Sequence, residues 1–118
     1  MADLTILHNK SCSTSRHAMD AIAAEGVDAD VVEYLKAPLD RAALEDLIGK
    51  LEDPVADLVR KDPFFKSLGL DADDYTTPDA VVELLVEHPR LLQRPVLVKG
   101  DRAIIGRPKD RVPEFLKS

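Results

Sequence analysis

Cys12 is the residue in this chain whose type and position point most directly to chemistry. It is the only cysteine, and it lies in the polar run His8-Asn9-Lys10-Ser11-Cys12-Ser13-Thr14-Ser15-Arg16. The strand-like Leu4-Thr5-Ile6-Leu7 precedes this run, and hydroxyl residues of the kind that begin helices follow the cysteine. A helix N-terminus offers partial positive charge and free N–H groups, which favour a thiolate and bind oxyanions. The sequence therefore predicts a nucleophilic thiol, the alternative being a cysteine that fills an apolar core.

The composition limits where such a thiol works and what it meets. The chain of 118 residues fits one domain, residues 1–118, and its net charge of −6 disfavours binding to nucleic acid or to an anionic membrane. No apolar stretch approaches the roughly 20 residues that cross a bilayer, and the start Met1-Ala2-Asp3 lacks export features. A lone cysteine makes no internal disulfide. We expect a soluble protein of the reducing cytoplasm, in which a local cluster of positive side chains holds any bound anion.

The elements that position Cys12 begin with a β-α-β unit. Residues 3–7 read as a strand, Ser15 to Glu25 as a helix that Gly26 closes, and Ala29 to Leu35 as a second strand rich in β-branched residues. Residues 40–88 then read as a helical insert. In this insert Asp40 is an N-cap, Pro54 opens a short helix, and Thr77-Pro78 starts another that ends before Pro89.

The chain closes with two strands and a helix. The strands are predicted at residues 95–99 and 102–106, joined by a tight turn at Gly100-Asp101, and the helix at 108–117. The resulting order, with a helical insertion between the second and third strands, is that of an α/β thioredoxin-like fold. Proline at the start of a buried strand needs an explanation, which in such folds is a cis proline facing the active cysteine. We predict a cis Arg94-Pro95 bond.

These motifs together resemble one family. The pattern consists of His8-Asn9-x-x-Cys12-x-Thr14-Ser15-Arg16, Leu58-Val59-Arg60-Lys61, His88-Pro89, Arg94-Pro95 and Gly106-Arg107-Pro108. It resembles the glutaredoxin-coupled arsenate reductases over nearly the whole chain. The resemblance implies that Cys12 is catalytic, that Arg60, Arg94 and Arg107 bind the oxyanion, and that His8 is a supporting residue. It also implies arsenate as substrate, with glutathione or another small thiol as co-substrate and glutaredoxin as partner.

General chemistry supports the same group of residues. A free cysteine has a pKa near 8.5, which a helix N-terminus and guanidinium neighbours lower by roughly one to several units. The planar fork of arginine donates two hydrogen bonds to a tetrahedral oxyanion and stays charged. The chain has no second thiol to resolve an adduct on Cys12, and Ser15 stands where a CxxC enzyme has its second cysteine. The resolving thiol must therefore come from outside, and we expect no bound cofactor.

Each assignment has a structural alternative. An isolated arginine is usually a solvated surface residue, and Arg60 also suits a charged helix end. His8 either tunes the thiolate or only hydrogen-bonds its loop, and Ser15 is also an ordinary first-turn residue. No histidine–cysteine spacing supports a zinc site. A second function is that of the Spx-type regulators, which share the fold and bind RNA polymerase; the missing second cysteine of their CxxC switch argues against it. A third is an arsenate reductase-like protein without arsenate activity.

Overall fold

A four-stranded mixed β-sheet organises the computed structural model, which describes residues 3–118. The strands are β1 (Leu4–His8), β2 (Ala29–Glu33), β3 (Val96–Lys99) and β4 (Arg102–Ile105), in the spatial order β2-β1-β3-β4. β1 pairs in parallel with β2 and antiparallel with β3, and β3 pairs antiparallel with β4. Because β1 is central, its carboxyl end delivers Cys12 next to the beginning of β3.

Helices cover both faces of the sheet. They are α1 (Ser13–Ala24), α2 (Arg41–Lys50), α3 (Pro63–Ser67), α4 (Pro78–Glu87) and α5 (Arg111–Lys117), with short 3₁₀ turns at Val55–Leu58, Ala72–Asp74 and Pro89–Leu91. On one face, Ile6 and Leu97 pack with residues of α1 and α5. On the other, Leu7 and Val96 pack with residues of α2 to α4. No helix within residues 3–118 is both long enough and apolar enough to span a membrane.

The helix starts follow the capping residues that the sequence indicated. The Asp40 carboxylate accepts from the Ala43 N–H at 2.8 Å, and the Thr77 hydroxyl accepts from the Ala80 N–H at 3.3 Å. These bonds satisfy N–H groups that have no partner inside the helix. The predicted starts of α2 and α4 are confirmed. α1 begins at Ser13, two residues before the predicted start, so Cys12 itself occupies the N-cap position.

The segment between β2 and β3 contains more structure than the sequence indicated. Asp62 caps the five-residue helix α3, and its carboxylate accepts from the Phe65 N–H at 3.1 Å. Phe65 is buried and packs in the cluster under α2 and α4. Sequence analysis missed α3 because five residues show no helical periodicity. Beyond Pro54, a 3₁₀ turn forms, and Val59 instead pairs with Leu92 in an isolated antiparallel bridge.

The segment that follows α2 hydrogen-bonds to the outer edge of β4. Leu51 forms a parallel bridge with Ala103, and the Glu52 N–H donates to the Ala103 carbonyl at 2.8 Å. The Asp53 carboxylate accepts from the Ile105 N–H at 2.8 Å. These contacts fix the end of β4 and therefore the start of the loop that carries Arg107.

Candidate functional site

Cys12 lies in a tight loop between β1 and α1. The Cys12 N–H donates to the Asn9 carbonyl at 3.0 Å, and the Arg16 N–H donates to the Cys12 carbonyl at the same distance. The Asn9 side chain accepts from the Ser11 N–H at 2.9 Å, which is a turn that asparagine favours. The thiol is free and half-buried. The loop therefore holds the sulfur over the first turn of α1 while leaving it accessible.

The surroundings of the thiol favour its ionised form. Burial raises the pKa of Cys12, but the backbone N–H of Ser15 and the guanidinium groups of Arg94 and Arg107 act in the opposite direction. The backbone N–H of Thr14 adds to them, and the net pKa lies below the ordinary value of a cysteine. The cause is the one expected for a helix N-terminus with cationic neighbours. More of the sulfur is thus thiolate near neutral pH than in a free cysteine.

Arg107 makes the direct contact with the sulfur. Its Nη2 is 3.3 Å from Cys12 Sγ, and its Nε donates to the Arg94 carbonyl at 2.7 Å. The Gly106 N–H donates to the Pro95 carbonyl at 2.8 Å and fixes the preceding residue. The Arg94-Pro95 bond is cis, as predicted, and the Arg107-Pro108 bond is also cis. The Arg107 guanidinium therefore binds the backbone just before β3 through Nε and contacts the sulfur through Nη2.

Arg94 also acts on the sulfur, and the segment that carries Arg60 pairs with the residues that precede Arg94. The Arg60 N–H donates to the Leu91 carbonyl at 2.7 Å, and the Gln93 N–H donates to the Leu58 carbonyl at 2.8 Å. These two bonds hold residues 58–60 against residues 91–93. Arg94 Nη1 makes only a long contact, 3.4 Å, with the Arg90 carbonyl, and within residues 3–118 its buried Nε has no partner.

Arg60 is held by side chains that the sequence did not identify. Its Nε is 3.3 Å from the Asp62 carboxylate, and its Nη1 donates to Gln93 Oε1 at 3.3 Å. Burial raises the pKa of Asp62, but the Phe65 N–H and the charges of Arg60 and Arg94 more than offset this, so the net pKa is lowered. Asp62 is therefore an anion between two of the predicted substrate-binding arginines. Among the hydrogen bonds of residues 3–118, none joins Arg60 to Cys12.

Half-buried His8 and fully buried Ser15 form a pair under the cysteine loop. His8 Nδ1 is 2.6 Å from Ser15 Oγ, and this hydroxyl also accepts from the Asn9 N–H at 3.1 Å. Burial lowers the pKa of His8, the Glu33 carboxylate raises it and Arg16 lowers it, with a net decrease. The imidazole is consequently neutral near neutral pH. The Ser15 hydroxyl is fully buried and braces the loop, and its backbone N–H is the group that acts on the sulfur.

Two further residues fix the position of Arg107. Arg111 Nη1 is 2.9 Å from the Asp53 carboxylate and donates to the carbonyls of Ile105 at 2.9 Å and Arg107 at 3.3 Å. Asp53 belongs to the segment after α2, so this ion pair joins the insert to the start of α5. Nothing in the local sequence marks this pairing. Within residues 3–118, no group of three or more histidine, cysteine or acidic side chains is arranged to hold a metal ion.

The arrangement is that of a half-buried thiol with Arg94 and Arg107 acting on it, and with Arg60 held nearby by Asp62 and Gln93. A model of the ArsC family matches residues 7–115. The chain belongs to the ArsC family. The arsenate reductase of Neisseria meningitidis serogroup A is 36% identical over 98% of this chain and 100% of the relative. The arsenate reductase of Escherichia coli K12 is 35% identical over 98% of this chain and 82% of the relative.

Solved structures described as arsenate reductases share the fold. The structure of an arsenate reductase from Vibrio cholerae superposes with a TM-score of 0.82 at 32% identity, covering 94% of this chain and 95% of that one. A structure described as a putative arsenate reductase from Yersinia pestis gives the same TM-score at 34% identity, covering 94% and 98%. The predicted α/β thioredoxin-like fold is confirmed. This ArsC-family chain thus combines the fold of these two structures with the thiol and arginines described above.

Proposed function

We propose that this protein is an arsenate reductase in which Cys12 is the nucleophile and Arg60, Arg94 and Arg107 bind the oxyanion. The observation that carries the proposal is the 3.3 Å contact between Arg107 Nη2 and Cys12 Sγ at the N-terminus of α1. The same groups that keep the sulfur ionised are suited to an incoming tetrahedral anion. The full-length similarity to proteins named arsenate reductase supports arsenate as that anion.

The arginines have different tasks in this scheme. Arg94 has a buried Nε without a partner in residues 3–118, so an oxyanion oxygen would satisfy a donor that is otherwise unpaired. Arg107 would transfer part of its fork from the sulfur to the anion as the S–As bond forms. Arg60 already binds Asp62 and Gln93, so we expect it to act through charge or to rearrange when the anion arrives. Fixed positive groups of this kind stabilise the charge on oxygen during the attack.

The chemistry requires two sulfur atoms. The Cys12 thiolate attacks arsenate, one oxygen leaves as water after protonation, and an S–As(V) bond forms. The thiolate of glutathione then attacks Cys12 Sγ, so that an S–S bond forms and the S–As bond breaks. The electron pair of the S–As bond stays on arsenic, which leaves as arsenite, As(III). The two sulfur atoms together lose two electrons. A thiol of glutaredoxin takes glutathione from the mixed disulfide and restores Cys12.

The need for an external thiol follows from the cysteine count. Cys12 is the only cysteine, and Ser15 has a hydroxyl that is fully buried against His8 and Asn9. A serine in that position cannot form a disulfide. Glutathione and glutaredoxin are the donors that we propose, and the reducing cytoplasm, which keeps a lone thiol free, is the compartment.

A coupled assay tests the proposal. Purified protein with glutathione, glutaredoxin, glutathione reductase and NADPH should consume NADPH when arsenate is added. Cys12→Ser should abolish this consumption because the oxygen of serine is not ionised near neutral pH. Absence of turnover with glutathione and with other small thiols would contradict the proposal and favour a binding role, such as that of the RNA polymerase-binding regulators.

A further inference from the structure

A cavity of about 290 Å³ shares the Arg107 side chain with the proposed active site. We call it the Arg107 cavity. Arg107 lines the cavity and also contacts Cys12 Sγ at 3.3 Å. A molecule in the cavity can therefore contact the same side chain that contacts the sulfur. The volume lies just below the range for small-molecule sites, which is about 300–1,000 Å³. The cavity is thus near enough and large enough to deliver a second reactant to Cys12.

Part of the cavity wall is committed to internal contacts. Asp53 accepts from the Ile105 N–H and pairs with Arg111, which in turn donates to the Ile105 and Arg107 carbonyls. The Asp53 and Arg111 side chains are both largely buried, with exposed fractions of 16% and 33%. These two side chains therefore form a fixed wall and have little capacity left for a ligand.

The remaining polar groups of the wall are available. The Asp57 carboxylate is exposed and forms no ion pair within residues 3–118. Among residues 3–118, the Lys61 ammonium bonds the Ala56 carbonyl alone and has no carboxylate partner. Gln93 uses its Oε1 to accept from Arg60, and its amide N–H groups have no acceptor in the described part of the chain. The cavity consequently presents one anion, one cation and one amide donor next to Arg107.

We propose that the Arg107 cavity binds the reducing thiol as a zwitterion, with Asp57 receiving its ammonium group and Lys61 and Gln93 a carboxylate. The inference rests on the proposed function, because it names where the second reactant of that reaction sits. Glutathione has one ammonium and two carboxylate groups around a central thiol. A second inorganic oxyanion would bind Lys61 and Gln93 but would leave Asp57 without a partner. Simple alcohol thiols lack both charges and gain nothing from this wall.

The charges on the wall predict a measurable selectivity. Single ion pairs at such accessible positions are weak, so we expect Asp57→Asn and Lys61→Gln each to raise the KM for glutathione about two- to fivefold. The ratio of kcat/KM for glutathione to that for 2-mercaptoethanol should fall by a similar factor. Matched controls are Asp73→Asn and Lys66→Gln, which remove the same charges from exposed positions outside the cavity.

A binding experiment separates the cavity from the reaction. S-methylglutathione cannot react, and its binding to the intact protein can be followed by NMR. We expect backbone shifts at residues 57, 61 and 93, with two- to fivefold weaker binding in Asp57→Asn and Lys61→Gln. Such shifts without arsenate turnover would uphold the cavity and contradict the proposed function. Turnover with glutathione, but with no shifts at these residues or with a KM unchanged in both variants, would overturn the cavity proposal and leave the function intact.

Discussion

Removal of the Arg107 charge should make Cys12 a weaker acid. Arg107 Nη2 lies 3.3 Å from Cys12 Sγ. At this distance two unit charges attract by about 1.3 kcal/mol in a dielectric of water and about 5 kcal/mol in an effective dielectric of 20. One pKa unit corresponds to about 1.4 kcal/mol, so the bounds are about 1 and 4 units. Because the thiol is half-exposed, the lower part of this range applies.

We therefore expect Arg107→Ala to raise the pKa of Cys12 by about one to two units. At any pH below both pKa values, the thiolate fraction then falls about 10- to 100-fold. The pH dependence of alkylation by iodoacetamide measures this pKa directly. Arg107→Lys should restore part of the lost thiolate fraction, because the lysine ammonium keeps the positive charge but lacks the directional hydrogen bonds of the guanidinium.

The control for this measurement is Arg41→Ala. Arg41 is an exposed residue of α2 that pairs with Glu45, so its removal changes the net charge equally without changing the surroundings of the sulfur. The pKa of Cys12 should stay at its wild-type value in this control. An unchanged pKa in a folded Arg107→Ala protein would refute the reasoning, because the helix N-terminus and Arg94 would then account for the whole effect.

Three further predictions concern the framework of the site. Gly106→Ala should lower the free energy of unfolding in urea by about 1–3 kcal/mol, because the new Cβ would lie 2.8 Å from Pro95 Cγ. The control Gly49→Ala, which has open space at its Cβ, should not destabilise the protein. Asp62→Ala should lower the free energy of unfolding by about 1 kcal/mol, because the N-cap of α3 is lost. Asp62→Asn should keep most of the stability that the cap contributes. The lowered pKa of Asp62 stabilises the fold above pH about 4, so the difference in unfolding free energy between wild type and Asp62→Asn should shrink as the pH falls through that pKa.

Local sequence signals predicted the frame of this protein well. Asp40 and Thr77 cap helices at the positions their residue types indicate, and Gly100 has a φ of +62° in the turn between β3 and β4. Such features depend on a few neighbouring residues, so a sequence displays them directly. The Asp62-Pro63 pair carries the same cap-and-proline signal as Thr77-Pro78. It preceded a helix too short for periodicity to reveal.

Long-range partners were the part that the sequence could not supply. The ion pair of Asp53 with Arg111 and the contacts of Arg60 with Asp62 and Gln93 depend on how separate segments pack. Residue type alone does not say which acidic side chain meets which arginine. The predicted role of Arg60 in oxyanion binding came from resemblance, and in the structure Arg60 contacts Asp62 and Gln93. The roles of Cys12, His8, Ser15 and the three arginines stay predictions until variants are assayed.

The distance along the chain between the thiol and its partner has a consequence for protein synthesis. Cys12 and Arg107 are 95 residues apart, so the ribosome adds Cys12 to the chain long before it adds Arg107. Until the last strand and its following loop have been translated, the nascent thiol retains the ordinary acidity of an unfolded cysteine. The thiol consequently reaches its lowered pKa only after the chain has folded, when Arg107 lies against the sulfur.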